Sequence, residues 1–170
     1  MAKTPFDQEN MDFSLRARKR AVETVYPKAF GAGGPVDTTG SGADMDKGYD
    51  LIWLCEDGTT VSIQERFRRE KYSDYRELTA TKHNHASDST GDFFKLDADY
   101  YAYGYFSSTR QSEDCRTGED FSEILIVNVD KLKHGDVEPD EQWYGRKSQA
   151  FFCWPFESLI ERGYHVYHSR

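Results

Sequence analysis

One stretch constrains the fold of this chain more than any other: Asp44 to Arg69, DMDKGYDLIWLCEDGTTVSIQERFRR. Tyr49–Cys55 is a short, almost unbroken apolar run, and Thr59–Arg68 is β-branched and alternating. Between them stands Glu56-Asp57-Gly58, and Asp-Gly between two such runs is the strongest short-range signal of a β-hairpin. The first strand is apolar on both faces, which predicts a central position with cover on each side. In the second strand, Val61, Ile63, Glu65 and Phe67 share one face, and Ser62, Gln64, Arg66 and Arg68 share the other. The polar set is expected to face a site. A two-residue turn would set Asp50 opposite Glu65. A three-residue turn or a bulge would set it opposite Gln64 and diagonal to Arg66.

The rest of the chain supplies the frame. Residues 13–30 carry an apolar stripe at helical spacing, with Ser14 as N-cap and Pro27 and Gly31 marking the end. The Gly-rich segment 31–43 lacks the G-K-[ST] ending of a phosphate-binding loop and reads as a flexible connection. Residues 70–92 read as a polar stretch with Tyr72, Tyr75 and Leu78 as isolated anchors. Strands are expected at about Tyr100–Phe106, at 121–130 (FSEILIVNVD) and over Ala150–Trp154, and a last one at Tyr164–Tyr167. Residues 107–120 and 136–146 read as polar loops. A helix over 155–162 opens at Pro155 and stops at Gly163. Together these predict a single mixed α/β or α+β domain with a central mixed β-sheet and flanking helices.

Composition narrows the class. At 170 residues the chain is long enough for a real core. Eleven Tyr, eleven Phe and three Trp argue against a disordered acidic chain, although 31% of residues are charged. The longest apolar run, Ile124–Val129, falls far short of a membrane span. The polar N-terminus and the odd, scattered cysteines Cys55, Cys115 and Cys153 point to a cytoplasmic protein without a disulfide framework or a thiolate zinc site. The net charge of −8 is unevenly placed. Residues 1–82 hold 13 Lys and Arg against 14 Asp and Glu, and residues 83–170 hold 9 against 16. The basic residues of the first half clump at Arg16–Arg20 and at Arg66–Lys71, and phosphates respond to such local charge more than to the average.

An acid at a strand start, facing a carboxylate or amide and a cation on the next strand, suits metal-assisted phosphodiester cleavage. Carboxylates hold the ion, the ion activates water and polarises phosphate, and the cation steadies developing charge. G-Y-D, a strand, an Asp-Gly turn and S-I-Q-E-R-F-R, preceded by a helix, resemble the PD-(D/E)XK nuclease superfamily over about residues 13–69. The resemblance implies a restriction-endonuclease-like or resolvase-like fold and Mg²⁺- or Mn²⁺-dependent hydrolysis of DNA or a related nucleic acid. Asp50 would bind metal, Gln64 or Glu65 would add a ligand, and Glu23 would complete the site. Arg66, where the family has lysine, would contact the scissile phosphate without acting as a base. Arg16, Arg18, Arg20, Arg68, Arg69 and Lys71 are candidate nucleic-acid contacts, with Tyr72 and Tyr75 interleaved for stacking. A homodimer is compatible with so short a chain, and the resemblance suggests a phage or mobile-element setting. The alternative is a protein of this fold without catalysis, binding nucleic acid or a protein partner through its acidic half. If Glu65 points away from the site and Glu23 lies elsewhere, the binding protein is favoured. His83 and His85 make a weak metal pair, because spacing fixes no third ligand.

Overall fold

A computed structural model describes residues 5–36, 48–85, 87–107, 119–145 and 149–170. Cys115 and most of the expected 107–120 and 31–43 loops lie outside these residues. The architecture is mixed α/β. A helical layer packs on one face of a six-stranded mixed sheet, and a four-stranded sheet covers part of the other face.

Helix α1 (Pro5–Thr24) starts a good two turns before the expected Ser14 cap. Pro5 sits where no backbone donor is required. The chain then breaks at Val25 and resumes as α2 (Tyr26–Phe30), which ends at Gly31. Pro27 explains the break, because its ring opposes the carbonyl four residues back in a continuous helix. Phe13, Ala17, Ala21, Val25 and Tyr26 are buried against the large sheet.

The hairpin is β2 (Leu51–Cys55) and β3 (Thr60–Arg69), with Leu51 opposite Ile63 and Leu54 opposite Thr60. The Cys55 N–H donates to the Thr59 carbonyl at 2.8 Å, which leaves a three-residue turn. Gly58 takes φ +85° there, a conformation that a Cβ would strain. Asp57 secures the turn by accepting from the Thr59 N–H and hydroxyl at 2.9 and 2.6 Å. The first strand is not covered on both sides as its composition suggested. Leu51 and Trp53 are buried, but Leu54 is 44% exposed, because β2 lies one strand in from the edge strand β1 (Gly33–Pro35).

β3 pairs in parallel with β6 (Tyr100–Ser107). A parallel neighbour needs a long crossover, and here it passes through the second sheet. It contains a 3-10 turn over Glu70–Tyr75, β4 (Glu77–Asn84), β5 (Ser89–Thr90) and α3 (Asp92–Lys95). Residues 70–92 are therefore not a plain polar connection. β7 (Asp120–Asn128) follows β6 antiparallel, α4 (Val129–His134) caps its end, and β10 (His165–Ser169) closes the large sheet. β8 (Asp140–Tyr144) occupies part of the expected 136–146 loop. It pairs with β9 (Gln149–Pro155), which leads into α5 (Phe156–Glu161).

The large sheet has two unlike faces. Ile63, Phe67, Ala102, Phe106, Ile124 and Ile126 pack with the helices or beside them. Tyr101, Tyr103, Tyr105, Leu125 and Val127 pack toward the small sheet, with Leu78, Trp154, Leu132 and Leu159.

Candidate functional site

The three-residue turn sets the register that brings Asp50 opposite Gln64. Gly48, at φ +65°, begins the approach, and a Cβ there would fall 2.0 Å from the Lys95 carbonyl oxygen. The carboxylate of Asp50 accepts from Gln64 Nε2 at 2.5 Å and from the Glu65 backbone N–H at 2.8 Å. Asp99 holds β6 against β3 in a similar way, accepting from the Ser62 N–H and hydroxyl at 2.8 and 2.9 Å.

Alternation along β3 then divides the polar residues. Glu65 points to the helices, where its side chain is 4% exposed. Tyr26 donates its hydroxyl to Glu65 at 2.5 Å, and Arg18 donates its Nε–H to the other oxygen. Burial pushes the Glu65 carboxyl above the ordinary range, and the opposing pull of Arg18 and Tyr26 does not fully reverse it. Burial also raises the Tyr26 phenol well above its usual value.

Gln64, Arg66 and Arg68 take the opposite face and enter the gap between the sheets. A cavity of ≈340 Å³ is lined there by Gln64, Arg66, Thr81, Phe93, Tyr101 and Phe151, among others. A second, of ≈240 Å³, is lined by Arg68, Tyr72, Tyr75, Thr79, Tyr103 and Tyr105 with Glu77. The Arg66 guanidinium lies 5.5 Å from the Phe151 ring centre, and that of Arg68 lies 4.9 Å from the Tyr72 ring. Arg68 Nη1 also donates to the Tyr103 hydroxyl at 3.5 Å. The Tyr101 hydroxyl donates to the Thr79 carbonyl at 3.0 Å. Burial raises the Tyr101 phenol, and Arg66 beside it reverses only part of that shift. The groove is thus polar and aromatic, and it holds Arg66 and Arg68 together with the carboxylates of Asp92 and Glu77.

The other expected arginine contacts are engaged within the protein. Arg16 meets Glu119 at 3.8 Å, Arg20 grips Asp120 through two bonds of 2.9 and 3.1 Å, and Arg69 holds Glu9 at 2.9 Å. Lys71 lies 5.0 Å from the Tyr72 ring. Arg76 grips buried Glu123 through bonds of 2.9 and 2.7 Å. Arg66 and Arg68 have no carboxylate within ion-pair distance among the described residues.

A divalent ion does not fit the carboxylates the resemblance would assign to it. Glu65 is turned into the helix layer, and its oxygens accept from Arg18 and Tyr26. Glu23 is on an exposed part of α1, 4.0 Å from Lys19. Among the described residues no group of three or more His, Cys, Asp or Glu is placed to hold a metal. His83 and His85 do meet, with ring centres 4.2 Å apart, and belong to a different cavity on the small sheet. No helix among the described residues is long and apolar enough to cross a membrane. No protein-family model matches the chain, and neither does any curated protein or solved structure.

Proposed function

We propose that this protein binds nucleic acid in the groove between its two sheets without a resident metal, Arg66 and Arg68 taking neighbouring phosphates. The observation that carries this reading is the contrast among the arginines. Arg16, Arg18, Arg20, Arg69, Arg76 and Arg162 each hold a carboxylate. Arg66 and Arg68 stand half-buried among tyrosines, with no such partner among the described residues. A guanidinium drawn partly out of water costs free energy that an anion at hydrogen-bond distance offsets. Its planar fork matches a phosphate's oxygens.

Spacing supports the same ligand. Residues two apart in a strand lie about 6.6–6.8 Å apart, a span that successive phosphates of an extended strand can match. Tyr72 and Tyr75, which line the Arg68 cavity and are not buried, offer faces for bases. The net charge of −8 opposes this association, so binding is weak and falls with salt.

Cleavage assisted by Mg²⁺ or Mn²⁺ on Asp50, Glu65 and Glu23 is the less favoured reading, because two of the three carboxylates serve the helix layer or its surface. A labelled oligonucleotide titrated in EDTA at low salt tests the choice. Binding is expected in EDTA, and Arg66→Gln/Arg68→Gln should weaken it more than tenfold, since hydrogen bonds to charged groups contribute about 1.5–3 kcal/mol each. Cleavage that appears on adding Mg²⁺ or Mn²⁺ and disappears in Asp50→Ala would replace this reading with the nuclease.

A further inference from the structure

A third cavity, of ≈390 Å³, lies on the small sheet and is lined by Lys82, His83, His85, Phe94, Glu141 and Trp143, among others. Trp53 and Trp154 are each 1% exposed, whereas Trp143 is 46% exposed and Phe94 54%. Trp143 does not stand alone. The His85 ring lies over it, with centres 5.0 Å apart and planes inclined by 30°, and His83 meets His85 edge-on. Lys82 and Glu141 form an ion pair beside it. An exposed indole, supported from behind and bordered by one donor and one acceptor, suits a flat ring with hydrogen-bonding edges.

The position of this cavity connects it to the groove. Thr81, Phe93 and Gln149 line the Arg66 cavity, and the next residue of each segment, Lys82, Phe94 and Ala150, lines this one. Within β9 the successive residues Gln149 and Ala150 point to opposite faces. The two cavities therefore lie back to back across the same end of the small sheet. A chain that fills both must turn around that end.

We infer, on the reading given above, that the nucleic acid is single-stranded, and that Trp143 backed by His85 stacks one of its bases while Arg66 and Arg68 hold phosphates of the same strand. A single strand bends freely around a sheet edge, whereas a duplex resists bending over about 150 base pairs. Each cavity has room for one base or one phosphate group, and a base within a duplex is already stacked and paired.

Tryptophan emission reads this arrangement, because the other two indoles are buried. The intact protein is titrated in EDTA with end-labelled oligothymidylate and, separately, with a fully paired hairpin, following label anisotropy and tryptophan emission together. The single strand should bind and quench the emission, and the hairpin should bind at least tenfold more weakly. Trp143→Ala should abolish the quenching and weaken binding about tenfold, since a stacked base contributes about 1–3 kcal/mol. Trp143→Phe should restore most of the affinity without restoring the emission change. Equal hairpin affinity, or wild-type affinity in Trp143→Ala, would overturn the single-strand inference and leave the groove reading standing. Full affinity in Arg66→Gln/Arg68→Gln would overturn the groove reading, and no binding of either oligonucleotide would overturn both.

Discussion

Neighbouring residues on β3 do opposite work, and strand alternation alone separates them. Glu65 is a buried carboxylate whose oxygens accept from Arg18 and Tyr26, so its role is to tie the helix layer to the sheet. Glu65→Ala should cost about 2–3 kcal/mol, below the usual 3–5 for breaking a buried pair because Arg18 keeps a 36% exposed side chain. Glu65→Gln should cost less, because its amide oxygen still accepts. The raised Glu65 pKa gives the pH dependence a sign. The folded protein favours the protonated form, so the stability this group contributes is full below the unfolded glutamate value and declines as pH rises through the folded one. Urea unfolding at several pH values should therefore show wild type losing ground against Glu65→Gln as pH rises. Gln64 and Arg66, one step either side, face the groove instead. The sequence indicates this division, because the alternating polar set along β3 is visible without a structure. It does not indicate the choice between Asp50 facing Gln64 or Glu65, which rests on one residue of turn length.

Between elements, the strongest tie outside the groove is one that composition concealed. Arg76 enters β4 from the left-handed region, at φ 45°, and grips Glu123 of β7, which also meets His168 of β10 at 2.8 Å. Burial pushes the Glu123 carboxyl up, but hydrogen bonds from Arg76 and His168 more than reverse this and hold it below the ordinary range. Its stabilisation is therefore present above the unfolded glutamate pKa and lost as pH falls through the folded one. Arg76→Ala should cost about 3 kcal/mol or more at neutral pH, and the deficit should shrink in acid, where wild type loses the same contribution. Denaturant midpoints across that range measure it. The sequence made the hairpin and the strands β6, β7, β9 and β10 legible through their β-branched and aromatic runs. It concealed β4, whose Thr79 and Ala80 are buried without being strongly apolar. It also concealed β8, an edge strand with little buried surface to leave an alternating pattern. Because β4 and β8 belong to the sheet that closes the groove, the residues of the site were readable and the groove itself was not.

For the molecule as a whole, the acidic total and a phosphate ligand are reconciled by internal pairing. Among the described residues six arginines hold carboxylates, whereas Arg66 and Arg68, which hold none, share one groove. Two phosphate contacts give a shallow salt response: the logarithm of the association constant should fall with the logarithm of salt at a slope of about −1.4 for a single strand. Arg66→Gln/Arg68→Gln should bring that slope close to zero, whereas a strongly basic interface would give a far steeper one. The most direct measurement of the central claim is to follow the arginine Nε–Hε resonances by NMR while oligothymidylate is added in EDTA. Arg66 and Arg68 should shift together along one saturation curve, with Arg18 and Arg76 fixed in their ion pairs. Shifts confined to Arg16, Arg20 and Arg69, with Arg66 and Arg68 unmoved, would contradict the account.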